Sequence, residues 1–539
     1  SPAAAAHAPA VRLFIDRAER LGAAFLQDEH TLDIITKICR MVGGNALAIE
    51  LAAVWMRQMS AAEILEAVQE SIDFLEARHS DIPARHRSMR AVFDQTWQLL
   101  PADAQQTLAQ LSVFRGGFGA KAAQEIVQTN RKMLALLHDR SLIHRLTSGR
   151  YEMRPLVREY AAERFEMLGM IKEYAADQLD EDQAKITLQS HARWFLKFLA
   201  DQKSDLMGAK PWDAIERIEI EIENVRQAWQ SGLEEVEANA NALLSAAEPL
   251  SEYYNIRGRF QEADEMFSLA AKIPTHRIPN TDRLVAHATM HKTRFIVRLG
   301  QYKDGAELGK QSVRLAKAID DNWCAAMGHV WWCQAYWEQG LTQEALDVLE
   351  KGEAYRDKAG DEYLNGRFNH QYSVCYSIQG YSARALEHSQ AAIKLFTSTK
   401  SLLHRAISLN SLGAIHFERQ EFLDAKKIYT SIIDLIEPKF MPAFIAMVYF
   451  NLSNSLQQIG EMEDAANLLN QSLHVYENMG LQSRELYVYY GLASLSFKYG
   501  DFDNAQIYAS KSKSLSAKFR NFRLETDSIL TLGDIALEK

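Results

Sequence analysis

The sequence predicts an all-α protein with a small β-hairpin wing, helical domains in its first half and an αα solenoid filling its second. Three observations carry this. Glycines recur in a 40-residue register through the second half, and apolar residues keep the 3.6-residue helical spacing nearly throughout. Strand-like alternation is confined to a short stretch around Thr147-Ser148-Gly149.

At 539 residues the chain exceeds one ordinary core and implies several structural units. The net charge of −10 argues against wholesale coating of nucleic acid. Cys39, Cys324, Cys333 and Cys375 are widely spaced and form no C-x-x-C pair, so neither a disulfide framework nor a zinc knuckle is expected, and a reducing cytoplasm fits. No apolar run approaches the roughly 20 residues a membrane helix needs, and the opening "SPAAAAHAPA" lacks the basic-then-apolar pattern of a signal peptide.

Residues 1–80 read as a helical domain. "VRLFIDRAERLGAAF" and "LDIITKICRMVGGNALAIELAAVWMRQMSAAEILEAV" carry helical periodicity, broken at Gly43-Gly44. From 81 to 168, "SMRAVFDQTWQLL", "PADAQQTLAQLSVF", "AKAAQEIV" and "NRKMLALLHDR" are helical. "SLIHRLTSGRYEM" gives two short strands, and "PLVREYAAERFEML" returns to helix with Pro155 near its start. Helices followed by a β-hairpin make a winged-helix domain.

The glycines of "LSVFRGGFGAKAAQEIV" suggest a phosphate-binding loop. However, Lys121 follows Ala120 and precedes Ala122, so the glycine and the hydroxyl of G-x-x-x-x-G-K-[ST] are both missing. The stretch reads as a tight loop before a helix. Residues 81–165 hold 13 Lys plus Arg against 8 Asp plus Glu, and residues 166–242, a helical spacer from 169, hold 8 against 16. A basic winged helix can bind DNA through phosphate contacts, but "AKAAQEIV" offers little to read a base edge. Electrostatic docking between domains is the plainer use.

From 243 to 539 the repeat takes over. Gly300, Gly340, Gly380, Gly460 and Gly500 stand in register, with Gln420 in the missing slot and Gly258 leading by 42. Seven units follow, each opening with a phrase such as "GRFQEA", "GLTQEA" or "GDFDNA". Five positions after each start a small residue recurs, at Ala263, Gly305, Ala345, Ala385, Ala425, Ala465 and Ala505. Seven positions before it another does, at Ser251, Thr293, Cys333, Ser373, Gly413, Ser453 and Ala493. Small residues at fixed places let paired helices approach closely, which is the physical content of a stacked αα repeat.

This pattern resembles the tetratricopeptide repeat, with a longer connection than the usual 34-residue unit. The resemblance implies a concave groove lined by the first helix of each pair. By register that groove would hold His287, Met290, Arg294, Met327, Val330, Gln334, Trp337, Arg367, His370, Asn410, Asn454, Tyr487 and Tyr490. Mixed polar and aromatic residues suit a protein, peptide or small-molecule partner. His287 and His291 share a helical face, as a zinc site requires, but no third ligand is evident and no metal is expected.

The helical domain resembles the one that follows the nucleotide-binding core in STAND ATPases, the signal-transduction class that includes NB-ARC proteins and AfsR-like and MalT-like regulators. The family's "GGNPLAIELAA" reads here "GGNALAIELAA", with Ala46 where the family places a proline beside the nucleotide. "RHRSMRAVFDQTWQLL" and "LSVFRGGF" are similar to its winged helix, and its Met-His nucleotide signature maps onto Met153-Arg154, arginine replacing histidine. "EIENVRQAW", Glu221 to Trp229, resembles the spacer these proteins place before their repeats.

The sequence contains no Walker A lysine, no strand ending in paired acidic residues and no nucleophile–base constellation, so catalysis within it is not expected. The resemblance implies the C-terminal, signal-sensing and autoinhibitory part of a regulator whose intact parent binds ATP or ADP and oligomerises on activation. This chain itself is expected to need no cofactor. The alternatives are a static tetratricopeptide scaffold and a winged-helix DNA-binding regulator.

Overall fold

The computed structural model describes residues 8–20, 28–42, 44, 46–70, 94, 96–153, 157–158, 160–162, 181–274, 279–519 and 521–539. The chain divides into two compact units. One comprises Ser1–Phe195 with Ile220–Ala228, and the other Leu196–Glu219 with Trp229–Lys539.

The first unit opens with helices α1 (Pro9–Arg20), α2 (Glu29–Met41), α3 (Ala46–Val54) and α4 (Ala61–Glu70). Val11, Phe14 and Ala18 fall on one face of α1 and are buried with Ile35, Ile38, Ile49, Ala52 and Ile64 in one core. Asp28 caps α2 by accepting from the Thr31 N–H at 2.8 Å. Before α4, Ser60 and Glu63 form a reciprocal capping box: the Ser60 N–H donates to the Glu63 carboxylate at 2.7 Å, and the Glu63 N–H donates to Ser60 Oγ at 3.3 Å.

Helices α5 (Ala102–Leu111), α6 (Ala120–Val127) and α7 (Arg131–Asp139) follow, then strands β1 (Ile143–Arg145) and β2 (Tyr151–Met153). The strands pair antiparallel, Ile143 opposite Met153 and Arg145 opposite Tyr151. The glycine-rich stretch lies beside this hairpin. Phe118 and Tyr151 exchange backbone hydrogen bonds of 2.7 and 2.8 Å, and a Cβ on Gly117 would stand 3.1 Å from the Tyr151 carbonyl oxygen. The loop is thus a backbone-pairing element, held tight by contacts rather than open to a phosphate.

Asn224, within the "EIENVRQAW" phrase, completes it. Its Oδ1 accepts from the Arg115 and Gly116 N–H groups at 3.0 and 3.3 Å, while its Nδ2 donates to the Gly117 carbonyl at 3.1 Å. Arg150 of the basic segment bonds both Glu221 of the acidic segment and the Gly117 carbonyl. His191 is buried against Phe114 and Phe195, and burial lowers its pKa to about 3.

In the second unit, seven helical hairpins run in order: α11 (Val236–Arg257) with α12 (Phe260–Ala271), α13 (Pro279–Arg298) with α14 (Tyr302–Ala318), and α15 (Asn322–Trp337) with α16 (Thr342–Ala359). Then come α17 (Glu362–Ile378) with α18 (Ser382–Ser398), α19 (Leu402–Glu418) with α20 (Phe422–Leu435), α21 (Pro442–Ile459) with α22 (Met462–Asn478), and α23 (Gln482–Lys498) with α24 (Phe502–Lys518). A single helix, α25 (Phe522–Glu538), covers the last pair. Helices α8 (Glu181–Asp201), α9 (Lys203–Met207) and α10 (Pro211–Glu234) precede the series.

Both sets of small residues picked out by the register are buried, from Ser251 and Ala263 in the first hairpin to Ala493 and Ala505 in the last. The 40-residue period arises differently from the expectation of a lengthened connection. Most of the repeat helices run 16 to 18 residues, and the turns between them are short. The helices are long, not the connections. A second set of left-handed residues, Asp320, Gly360, Lys400 and Gly480, makes the turns between hairpins.

The repeats curl until distant hairpins meet. Arg484 Nη2 reaches Glu338 Oε1 at 2.8 Å, and Arg257 Nη1 donates to the Lys439 carbonyl at 2.7 Å. Trp212 stacks on Phe440 with centroids 4.9 Å apart. Two register glycines therefore do different work. Gly300 (φ +84°) and Gly380 (φ +80°) both need the left-handed region, but a Cβ on Gly300 would stand 2.7 Å from that of Ser483, whereas Gly380 has nothing within 4 Å.

Two predictions follow from this packing. Replacing Gly300 by Ala should lower stability more than replacing Gly380 by Ala: both carry the left-handed penalty of about 1–2 kcal/mol, and only Gly300→Ala adds overpacking against Ser483 of about 1–3 kcal/mol. Equal melting temperatures for the two variants would contradict the close approach. Ala425→Leu, at a fully buried seam position, should likewise cost about 1–3 kcal/mol by chemical denaturation.

Candidate ligand-binding cavity

The curled repeats of the second unit line a partly open cavity of about 490 Å³. Its wall is built mainly from the first helix of successive hairpins: Arg294 and Arg298 from α13, Gln334 and Trp337 from α15 with Glu338 just past its end, and Arg367, His370 and Gln371 from α17. Helix α19 adds His404 and Asn410, α21 adds Phe444 and Met447, and α23 adds Arg484 and Tyr487. The spacings Arg294–Arg298, Gln334–Glu338 and Arg367–Gln371 are each one helical turn, which sets both members on one face.

Seven of the thirteen residues expected in a groove line this cavity: Arg294, Gln334, Trp337, Arg367, His370, Asn410 and Tyr487. Met290, Met327 and Val330 are buried in the hydrophobic seam between hairpins instead. His287 is also turned elsewhere: Asp321 Oδ2 accepts from its Nε2 at 2.9 Å and from Arg283 Nε at 2.7 Å. Burial opposes ionisation of Asp321, but His287 and Arg283 outweigh it and lower its pKa. Asn454 and Tyr490 are half-buried outside the cavity lining. His291, one turn from His287, is buried against Phe267 with neither ring nitrogen partnered. Among the described residues no cluster of His, Cys, Asp or Glu is placed to hold a metal ion. Ala46 is the exposed first residue of α3, and Arg154 lies outside the described residues.

Around one end of the cavity the charges interlock. Arg294 grips Glu252 with two bonds, Nη1–Oε1 at 2.7 Å and Nη2–Oε2 at 3.2 Å. Burial would raise the Glu252 carboxyl, but the Arg294 guanidinium overrides it and holds the pKa down to about 2. The Arg294 and Arg367 guanidinium groups both lie over the Trp331 ring, 5.0 and 4.5 Å from its centroid. Arg367 Nη1 sits 3.2 Å from the Tyr363 hydroxyl and 3.4 Å from His404 Nε2.

Tyr363 OH stands 3.0 Å from that same His404 nitrogen, and Ser401 Oγ is 3.0 Å from Nδ1. With donors at Nε2, the bonding assigns the proton to Nδ1. Burial and the nearby Arg367 and Arg294 lower the His404 pKa to about 3, so the ring is neutral. Trp337 Nε1 donates to Gln371 Oε1 at 2.8 Å. Sequence reasoning missed Arg298, Trp331, Glu338, His404 and Arg484. Of these, Arg298 was accessible, being one turn beyond Arg294 on a face already identified.

With this geometry in hand, known proteins can be set beside it. No protein-family model matches the chain. A protein of Mycobacterium tuberculosis named "Putative HTH-type transcriptional regulator" is 32% identical over 141 residues, and the match spans 25% of this chain but only 16% of that relative's length. An uncharacterized protein of the same organism is 31% identical over 117 residues, 22% of this chain and 30% of the relative. Among solved structures, a signal-transduction ATPase with numerous domains (STAND) and a tetratricopeptide-repeat sensor, from Pyrococcus horikoshii, covers 98% of this chain and 69% of its own, with a TM-score of 0.50 and 13% identity. At that identity the likeness speaks to fold alone: a helical, tetratricopeptide-like repeat protein.

The buried histidines fix the response to acid. His370 and His404 are lowered to about 3 and His329 to about 4, in each case chiefly by burial, so all are neutral when folded. In the unfolded chain they titrate near 6.5. Below that pH the unfolded state binds more protons, so stability falls with pH, by up to about 1.4 kcal/mol per pH unit for each histidine. Glu252, depressed to about 2, adds a further loss as pH falls below about 4.5. Melting temperature should therefore drop steadily from pH 7 to pH 4, with a shallower slope in His404→Gln; a flat profile between pH 7 and 5 would contradict the assignment.

Proposed function

We propose that this chain is the signal-sensing and autoinhibitory region of a STAND-type regulatory ATPase, with the repeat cavity as the signal site. The observation that carries the reading is the cavity of about 490 Å³, built from the inner helices of the repeats. That volume suits a small molecule or the end of a short peptide. The Arg484–Glu338 contact crosses between distant hairpins, which disfavours an extended partner laid along an open groove and weighs against a static scaffold.

In this reading α5 to α7 and the β-hairpin, within residues 81–168, form the winged-helix module. Its basic residues serve intramolecular docking, since Arg150 is already engaged by Glu221, and this use supplants DNA contact. A ligand that prefers one arrangement of the repeats shifts a two-state equilibrium by its differential affinity. Nucleotide chemistry belongs to a P-loop core in the intact parent, and this chain is not itself an enzyme.

Calorimetry on the purified chain should give no micromolar affinity for ATP or ADP. A small-molecule survey by thermal shift should find a ligand that raises the melting temperature, with the gain lost in the Trp337→Ala, Arg367→Ala double variant whose helicity is checked by circular dichroism. If no small ligand is found and protein partners bind wild type and double variant equally, the scaffold reading replaces this one.

A further inference from the structure

We propose that the cavity takes a small amphiphilic anion, a carboxylate or phosphate monoester whose head group sits among Arg298, Arg367 and His370 and whose apolar body lies against Phe444 and Met447. The proposal rests on the reading of the cavity as the signal site and names the chemistry of its ligand.

The charges of the wall carry the argument. Four arginines line the cavity: Arg294, Arg298, Arg367 and Arg484. Two are spoken for, Arg294 by Glu252 and Arg484 by Glu338. Arg298 and Arg367 have no carboxylate within ion-pair distance among the described residues, and Arg367 hydrogen-bonds only the neutral groups Tyr363 and His404 while lying over the Trp331 ring. The other lining carboxylate, Glu418, accepts from Ser377 Oγ at 2.7 Å, and burial raises its pKa.

Polar atoms in the same wall also lack partners. Arg298 Nε, Trp331 Nε1 and His370 Nδ1 are buried without a hydrogen bond. Native proteins satisfy nearly all such groups, and an unpaired guanidinium away from water is costly. An acceptor-rich anion answers both deficits, because guanidinium groups present forked donors matched to carboxylate and phosphate oxygens. A cation would face four arginines in the wall, and a neutral apolar molecule would leave the donors unpaired. Burial, with the neighbouring Arg484 and Arg294, lowers the Arg298 pKa to about 9 against the opposing pull of Glu338, which is itself bonded to Arg484. The side chains of α21 supply the apolar surface, and a volume of about 490 Å³ suits a small molecule.

The test is isothermal titration of the whole chain with four eight-carbon probes: octanoate, octyl phosphate, octan-1-ol and octylamine. At least one anion should bind tenfold or more tightly than octanol, with octylamine undetected, and the tighter of the two anions identifies the head group. Arg298→Gln should weaken anion binding at least tenfold while Arg298→Lys retains most of it, both with wild-type circular dichroism. Should Arg298→Gln fail to fold, Arg367→Gln supplies the same comparison. Octanol binding as tightly as the anions, with Trp337→Ala abolishing both, would overturn the charge assignment yet keep the cavity as a ligand site. Absence of binding by either anion would also overturn the proposal, and the wider ligand survey would then decide the sensor reading separately.

Discussion

Close approach of two helices at a small side chain is the constraint on which the second unit depends. Each hairpin meets its own partner helix at such points, for example at Ser373 and Ala385 or at Gly413 and Ala425, all buried. Tyr429 packs so near Gly413 that an added Cβ would stand 2.6 Å from its ring. The separation of each pair fixes the small rotation from one hairpin to the next, and curvature is the sum of these rotations. The cross-contacts of Arg484 with Glu338 and of Arg257 with the Lys439 carbonyl exist only because that sum brings distant hairpins together.

The first unit uses one amide where the second uses steric fit. Asn224 supplies an acceptor to two backbone N–H groups and a donor to one carbonyl, so the Arg115–Gly117 turn has its polar groups matched without regular secondary structure. Arg150 adds a second hold on the Gly117 carbonyl. The residues that resemble a phosphate cradle in sequence thus spend their hydrogen bonds on the protein itself.

The hairpin series was legible because its causes are local and periodic. A left-handed turn residue and two small seam positions repeat with little drift, and helical spacing supplies the rest. Even Gln420, which takes the slot of a glycine, adopts φ +62°, so register predicted its backbone better than residue type did. The cavity was only half legible. Register identifies the inner helix but does not divide its face between seam and lumen, so Met290, Met327 and Val330 read the same as Arg294 and Gln334. Glu252 and His404 were invisible for another reason: apart from Ser401 beside His404, their partners lie about 40 to 150 residues away, and no local pattern announces a contact made between hairpins. The second family of turns, at Asp320 and Lys400 as well as Gly360 and Gly480, escaped because half its members are not glycine.

Closure of the repeats also changes how this array should come apart. An open solenoid is nearly one-dimensional: each repeat answers only to its neighbours, terminal units fray, and folding can begin anywhere and spread. Here, bonds spanning 146 and 182 residues tie early hairpins to late ones. Such contacts form only after long stretches of chain have been ordered, which favours slow assembly. Once made, they link the early hairpins to the late ones in a single cooperative unit, so that loosening any hairpin near the junction is felt on the far side of the ring.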